Sequence, residues 1–271
     1  MKEEMRKQIL SLMQEYQVEA QERFSQNFLI DEEARDKIIS SLPIKESAEV
    51  VEIGPGLGSL TSALVEKAEH VTAIDFDRDM IKVLQSELKK DNLSLIQGDF
   101  LKQDLNMFHV KHTIYVGNLP YAISRDLIKK VICDPDFIYF GFMVQQELAD
   151  KLFFLEGSPL NNPYSVMLAL RGKLSLTLTL HPGSFYPPPR VSSSFLGLKT
   201  TDSSYVSNAS FDFVSKLFKN PRKNLSNNLK GSEYESLLPK LESLKIAQTK
   251  RPHQLTLNEI KLLIETAGLK A

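Results

Sequence analysis

Over the first 150 residues, short apolar runs alternate with stretches of helical period. Val50, Val51 and Ile53 form one run, and Val71 to Ile74, Leu93 to Ile96, Thr113 to Val116 and Ile138 to Val144 form four more. Runs this short, rich in β-branched residues and bounded by polar or glycine-rich ends, predict buried strands. Residues 31–42, 59–68, 78–90 and 124–132 space their apolar side chains three and four apart, which predicts helices, with Asp31 and Ser59 as N-caps. Strand alternating with helix implies an α/β fold, a mostly parallel sheet covered on both faces. After about 150 the pattern changes. Residues 174–180 (LSLTLTL) alternate with period two and 193–198 do so more loosely, so a hairpin-like pair is expected. Between them, Phe185-Tyr186-Pro187-Pro188-Pro189-Arg190 is a stiff loop, because each proline fixes its own φ. From 205 on, helical periods return at 210–219, 233–244 and 256–267, broken by Pro221, Gly231, Pro239 and Pro252. Two parts are therefore expected: a domain over 1–200 with an N-terminal arm at about 1–30, and a small helical domain over 201–271.

In open α/β sheets, ligands sit at the carboxyl ends of the strands. Four chemically distinctive residues follow apolar runs here: Gly54, Asp75, Asp99 and Asn118. Gly54-Pro55-Gly56-Leu57-Gly58 lets backbone approach a ligand closely. Its G-x-G-x-G spacing differs from the G-x-G-x-x-G of dinucleotide sites, which favours a nucleoside without a pyrophosphate and disfavours an NAD dehydrogenase. Asp75 is placed to accept ribose hydroxyls, and Asp99 an adenine amino group. The set fits S-adenosylmethionine on a Rossmann-like methyltransferase sheet. Asn118-Leu119-Pro120-Tyr121 then suggests the target. An exocyclic adenine amine is a poor nucleophile because its lone pair is delocalised into the ring. The Asn118 amide oxygen and the carbonyl of Leu119 or Pro120 can accept its two N–H bonds and favour a pyramidal nitrogen. Tyr121 can stack on the base.

Composition adds exclusions. Of the 271 residues, 42% are hydrophobic and 25% charged, an ordinary globular balance. The single cysteine, Cys133, excludes an intramolecular disulfide framework and a Cys-based zinc cluster. The five histidines are scattered, His109 and His112 making only a weak metal pair, so no metal is expected. Lys2, Glu3, Glu4, Arg6 and Lys7 open the chain without an apolar signal core, which gives a cytoplasmic expectation. The net charge of -1 argues against an RNA partner until it is divided: residues 1–199 carry 22 basic against 27 acidic side chains, and 200–271 carry 11 against 7. Arg222, Lys223, Lys245, Lys250 and Arg251 in the basic part are candidate phosphate contacts.

Several segments together resemble the ribosomal RNA adenine N6,N6-dimethyltransferases. They are Arg23-Phe24-Ser25-Gln26-Asn27-Phe28-Leu29, Glu52-Ile53-Gly54-Pro55-Gly56-Leu57-Gly58-Ser59-Leu60-Thr61, Gly98-Asp99, Asn118-Leu119-Pro120-Tyr121-x-Ile123-Ser124, Met143-Val144-Gln145-Gln146-Glu147, Phe185-x-Pro187-x-Pro189-Arg190-Val191-x-Ser193 and Arg251-Pro252. The resemblance runs from about residue 20 to the C-terminus. It implies a chain that transfers methyl groups from S-adenosylmethionine to N6 of two adjacent adenosines near the 3′ end of small-subunit (16S) rRNA. It also implies a role in small-subunit biogenesis, an immature small subunit as partner, and a monomer. Cofactor contacts carry over onto Asn27, Leu29, Gly54, Gly56, Asp75, Asp99 and Asn118, and the target site onto Asn118, Leu119, Pro120 and Tyr121. Phe185 and Tyr186 are expected to face the base opposite Tyr121, with Arg190, Arg222 and Lys223 on RNA; Phe185→Ala is then expected to lower turnover on RNA and spare cofactor affinity. A hydrophobic anchor beneath the sheet edge is the rival reading for Phe185 and Tyr186. The chain has Asp75 where the family usually has Glu, Ser25 where it favours Gly, and Pro221-Arg222-Lys223 where it favours a basic triplet. Two alternatives stay open: a resistance-type large-subunit (23S) rRNA adenine N6-methyltransferase, and a mainly non-catalytic ribosome-assembly factor.

Overall fold

The computed structural model describes residues 2–21, 26–45, 47–108, 113–201 and 205–269. Arg23, Phe24, Ser25, His109 and His112 lie outside the described residues. The strands are β1 (Phe28–Leu29), β2 (Glu49–Ile53), β3 (His70–Asp75), β4 (Leu93–Gln97), β5 (Ile114–Asn118), β6 (Tyr139–Gln145), β7 (Gly172–Leu180), β8 (Phe185–Tyr186) and β9 (Ser193–Thr200). The α-helices are α1 (Lys2–Glu15), α2 (Glu32–Ser41), α3 (Thr61–Leu64), α4 (Arg78–Glu87), α5 (Ser124–Ile132), α6 (Gln146–Asp150), α7 (Pro163–Arg171), α8 (Asn208–Leu217), α9 (Leu225–Leu229) and α10 (Leu257–Thr266). Among the described residues no helix is long and apolar enough to cross a membrane.

Seven strands form one sheet in the order β4-β3-β2-β5-β6-β9-β7. The five runs predicted from the first half are β2 to β6, all mutually parallel, while β9 runs antiparallel to β6. From β2 the chain builds outward through β3 to β4, then returns to build the other way from β5 to β6. Strand order thus reverses between β2 and β5, where a crevice opens beyond the carboxyl ends. Gly117 in β5 permits the close approach of that pair, since a Cβ there would run into the Ile53 carbonyl oxygen. Val50, Val71, Ile114, Val116 and Phe195 pack with Ile38 and Ile39 of α2 and with Leu64 in the main core. Asp31 caps α2 as predicted, its carboxylate accepting from Ala34 N at 3.2 Å.

Three elements depart from the sequence reading. The helix expected over 59–68 shortens to α3, and Ser59 caps nothing: its hydroxyl donates to the Leu29 carbonyl at 2.7 Å. The helix expected over 233–244 is a 3-10 turn over Glu235–Lys240, because Pro239 supplies no N–H for an α-helical ladder. In the N-terminal arm, α1 had no predicted counterpart; its Ile9 and Leu12 pack with Phe28, Leu57, Met80 and Val83.

Contacts divide the chain into two compact units. One comprises residues 1–131, 136–146 and 175–199; the other comprises 132–135, 147–174 and 200–271. The sequence reading placed a single boundary at 200, whereas the second unit also takes in α6 and α7. Its packing explains why. Tyr164 of α7 meets Phe211 of α8 edge-on at 5.0 Å between ring centres, and α7 also contacts α10. Arg171, at the end of α7, is 1% exposed and donates through Nη2 to the carbonyls of Asp134 (2.6 Å) and Pro135 (3.1 Å), which draws 132–135 into the same unit.

Candidate active site

A cavity of about 330 Å³ lies at the carboxyl ends of β2, β3, β4 and β5, within the first unit. Asn27, Leu29, Gly54, Gly56, Asp75, Asp99, Asn118 and Pro120 all line it. The glycine turn after β2 takes a left-handed backbone at Gly54 (φ 70°), Gly56 (φ 55°) and Gly58 (φ 82°). Gly56 has a second use. Its N–H donates to Asp75 Oδ2 at 3.1 Å, and a Cβ at that position would touch the Phe28 ring at 3.0 Å. Asp75 Oδ1 accepts from Asp77 N at 2.8 Å, so this carboxylate, 9% exposed, fastens the glycine turn to the end of β3. Burial raises its pKa to about 6, against the pull of those two N–H donors. At the end of β4, Asp99 Oδ1 caps the next 3-10 turn by accepting from Leu101 N at 3.0 Å.

Asn118 ends β5 with its side chain oriented by the arm. Its Nδ2 donates to the Asn27 carbonyl at 2.9 Å, an arrangement that assigns the amide nitrogen to the arm and leaves Oδ1 as the acceptor. Further bonds fix the arm itself: Gln26 Nε2 to Asp77 Oδ2 at 2.9 Å, Ser59 to the Leu29 carbonyl, and the antiparallel pairing of β1 with β8. Leu119 is buried, and its N–H donates to the Met143 carbonyl at 3.1 Å. The Pro120 carbonyl accepts from Ile123 N at 3.2 Å. Tyr121 does not line the cavity. It lies half-buried just past Pro120, its hydroxyl paired with Ser193 Oγ at 2.8 Å, and burial pushes its phenol above the usual value while that bond draws it back.

The outer aromatics fall differently from expectation. Phe185 is 2% exposed, set in the main core opposite Leu29, so it has no face to present to a base; the anchor reading describes it. Tyr186 pairs with Phe28 and packs on the cluster around α1, away from the cavity. Both aromatics secure the arm that orients Asn118. Arg190, Arg222 and Lys223 are exposed, the latter two in the second unit.

Among the cavity residues without a role in the sequence reading, two stand out. Phe76, directly after Asp75, is 57% exposed and lines the cavity. Glu52 lines it too, at 1% exposure; its Oε2 and the buried Thr61 hydroxyl have no hydrogen-bond partner among the described residues. Burial drives the Glu52 pKa up to about 8; Thr61 beside it draws it back without reaching hydrogen-bond geometry, and the Asp75 charge adds to the rise. The signal was legible: Glu52 is a carboxylate set between the apolar Val50, Val51 and Ile53 of β2.

The profile of the family described as "Ribosomal RNA adenine dimethylase" matches residues 17–266. A "Ribosomal RNA small subunit methyltransferase A" of Sulfurimonas denitrificans is 34% identical over 255 residues, spanning 92% of this chain and 94% of its own. One of the same description from Francisella tularensis is 37% identical over 225 residues, 80% of this chain and 86% of its own. Among solved structures, a dimethyladenosine transferase from Plasmodium falciparum superposes with a TM-score of 0.75 at 29% identity, covering 89% of this chain and 98% of that one. The 23S rRNA methyltransferase ErmE shares the fold, with a TM-score of 0.66 at 21% identity over 88% of this chain and 100% of its own. With the sheet, the glycine turn and the Asn118 turn in place, the chain belongs to the ribosomal RNA adenine dimethylase family.

Proposed function

We propose that this chain transfers methyl groups from S-adenosylmethionine to N6 of two adjacent adenosines near the 3′ end of small-subunit rRNA, within an immature small subunit. The observation that carries this reading is the Asn118 amide, oriented through Asn27 so that Oδ1 stands as an acceptor at the cavity rim. The cavity's side chains suit the methyl donor: buried Asp75 to accept from ribose hydroxyls, Asp99 to accept from an adenine amine, and Phe76, Phe100 and Leu101 for an apolar ring. Bound there, S-adenosylmethionine supplies an electrophilic methyl group.

The protein's own work is orientation. Asn118 Oδ1 accepts one N–H of the target amine. The Leu119 carbonyl is the better second acceptor, because the Pro120 carbonyl already takes Ile123 N. Held by both, the nitrogen turns its lone pair towards the cavity. Tyr121 lies outside the cofactor cavity and offers a ring on which the base stacks, a contact of about 1–3 kcal/mol. No strong general base is required, since the amine proton becomes acidic once the methyl has moved and passes to water. The lysine and arginine excess of 200–271 supplies phosphate contacts, Arg222 and Lys223 first among them.

The test is incubation with labelled S-adenosylmethionine and immature small subunits, followed by mapping of the modified bases. Dimethylation of two neighbouring adenosines is expected; no label on the small subunit, with label on large-subunit RNA in a parallel incubation, would overturn the assignment. Asn118→Ala should abolish label while subunit binding persists.

A further inference from the structure

Ser193 begins β9 at the end of the proline-stiffened loop, and it is 0% exposed. Its hydroxyl, shut off from water, pairs with the Tyr121 hydroxyl at 2.8 Å. The serine itself is rigidly placed: it sits in register with Gln145 of β6, and the adjacent Ser192 carbonyl accepts from Gln146 N at 3.0 Å. Tyr121 has no such support. It stands in the turn between β5 and α5, held on the backbone side by the Ser124 hydroxyl, which donates to its carbonyl at 3.2 Å. A tyrosine's phenol oxygen lies on the ring's own axis. Fixing that atom and the backbone sets χ1 and so the position of the ring, leaving only rotation about its axis for the base to settle on stacking.

We propose that Ser193 is a positioning residue, whose hydroxyl holds the Tyr121 ring at the position that receives the target adenine. The proposal rests on the reading of Tyr121 as the base platform given above. It also accounts for the stiffness of the loop, whose prolines deliver Ser193 to a fixed point 72 residues away in sequence from the tyrosine it steadies.

Ser193→Ala and Tyr121→Phe remove the same bond from opposite sides. Each is expected to slow methylation of small subunits about 5- to 10-fold, the rate equivalent of one net hydrogen bond. The double variant should fall no further than either single one, and Ser193→Thr, which keeps a hydroxyl, should recover most of the rate. Calorimetric affinity for S-adenosylmethionine should stay at the wild-type value throughout. As a control, Ser194→Ala deletes the neighbouring buried hydroxyl, whose partner is Thr179, and should leave the rate unchanged. Multiplicative losses in the double variant, or full activity of Tyr121→Phe, would make Ser193 a packing residue and sink the proposal. A Tyr121→Ala protein with wild-type rate would instead remove the platform reading on which it stands.

Discussion

Glu52 has a cost that depends on pH. In an unfolded chain its carboxyl titrates near 4.5, whereas in the folded protein burial holds the proton up to about 8. Between those values the folded state binds a proton that the unfolded state has shed, so stability falls as pH rises through the window. Asp75 adds a slope of the same sign between 3.8 and about 6. Glu52→Gln, neutral at every pH, should flatten the decline: melting temperatures from pH 5 to 8 should drop less in the variant than in the wild type. Parallel curves would mean that Glu52 is ionised in the folded state. Phe185 makes a different point about single residues. The sequence pairs it with Tyr186 on an exposed-looking proline loop, and nothing in that pattern distinguishes a base-stacking ring from an anchor. Burial distinguishes them, and the expectation for Phe185→Ala changes with it: a loss of about 3–5 kcal/mol of stability in denaturant titration, as for other buried phenylalanines.

The elements legible in the sequence were those whose burial is one-sided or bounded by strong punctuation. β2 to β5 were visible because short apolar runs end at Gly54, Asp75, Asp99 and Asn118, residues that line the cavity. α7 was not visible. Its Val166, Met167, Leu168 and Leu170 are all buried, so the helix shows little polar face to set a period. Nor could a strand pair as short as β1 with β8 be read, because two residues carry no periodicity and their pairing is decided by Phe185 and Phe28 finding separate cores. The start of α7 is set by Pro163 at its first position and by a capping box of Asn162 and Ser165, in which Asn162 does the most. Asn162 accepts from Tyr164 N and Ser165 N, and its amide nitrogen donates to the Lys151 carbonyl at 2.6 Å. An N-cap alone is worth about 1 kcal/mol. Because this one also closes the 151–162 loop, Asn162→Ala should cost about 2 kcal/mol in reversible unfolding. A change within a few tenths would show that the loop closes without it.

For the chain as a whole, the net charge of -1 is the sum of two unlike parts, and only the part that meets RNA governs how salt affects binding. Long-range attraction is weak for a nearly neutral protein, so affinity must come from a local set of cations displacing counterions from phosphates. Each such contact contributes about 0.7 to 0.9 to the slope of log affinity against log salt. Arg222 and Lys223 are exposed, and neither belongs to the unit that holds the cavity, so replacing both with alanine leaves the methyl-donor site as it was. If both meet phosphate, the slope measured by filter binding to small-subunit RNA between about 50 and 200 mM salt should shallow by about 1.4 to 1.8. Binding of S-adenosylmethionine should be unchanged in the same variant. Equal slopes would move the phosphate contacts elsewhere, to Lys245, Lys250 or Arg251. Of these Lys250 is the weakest candidate, because its ammonium is already committed to Glu259 at 2.6 Å.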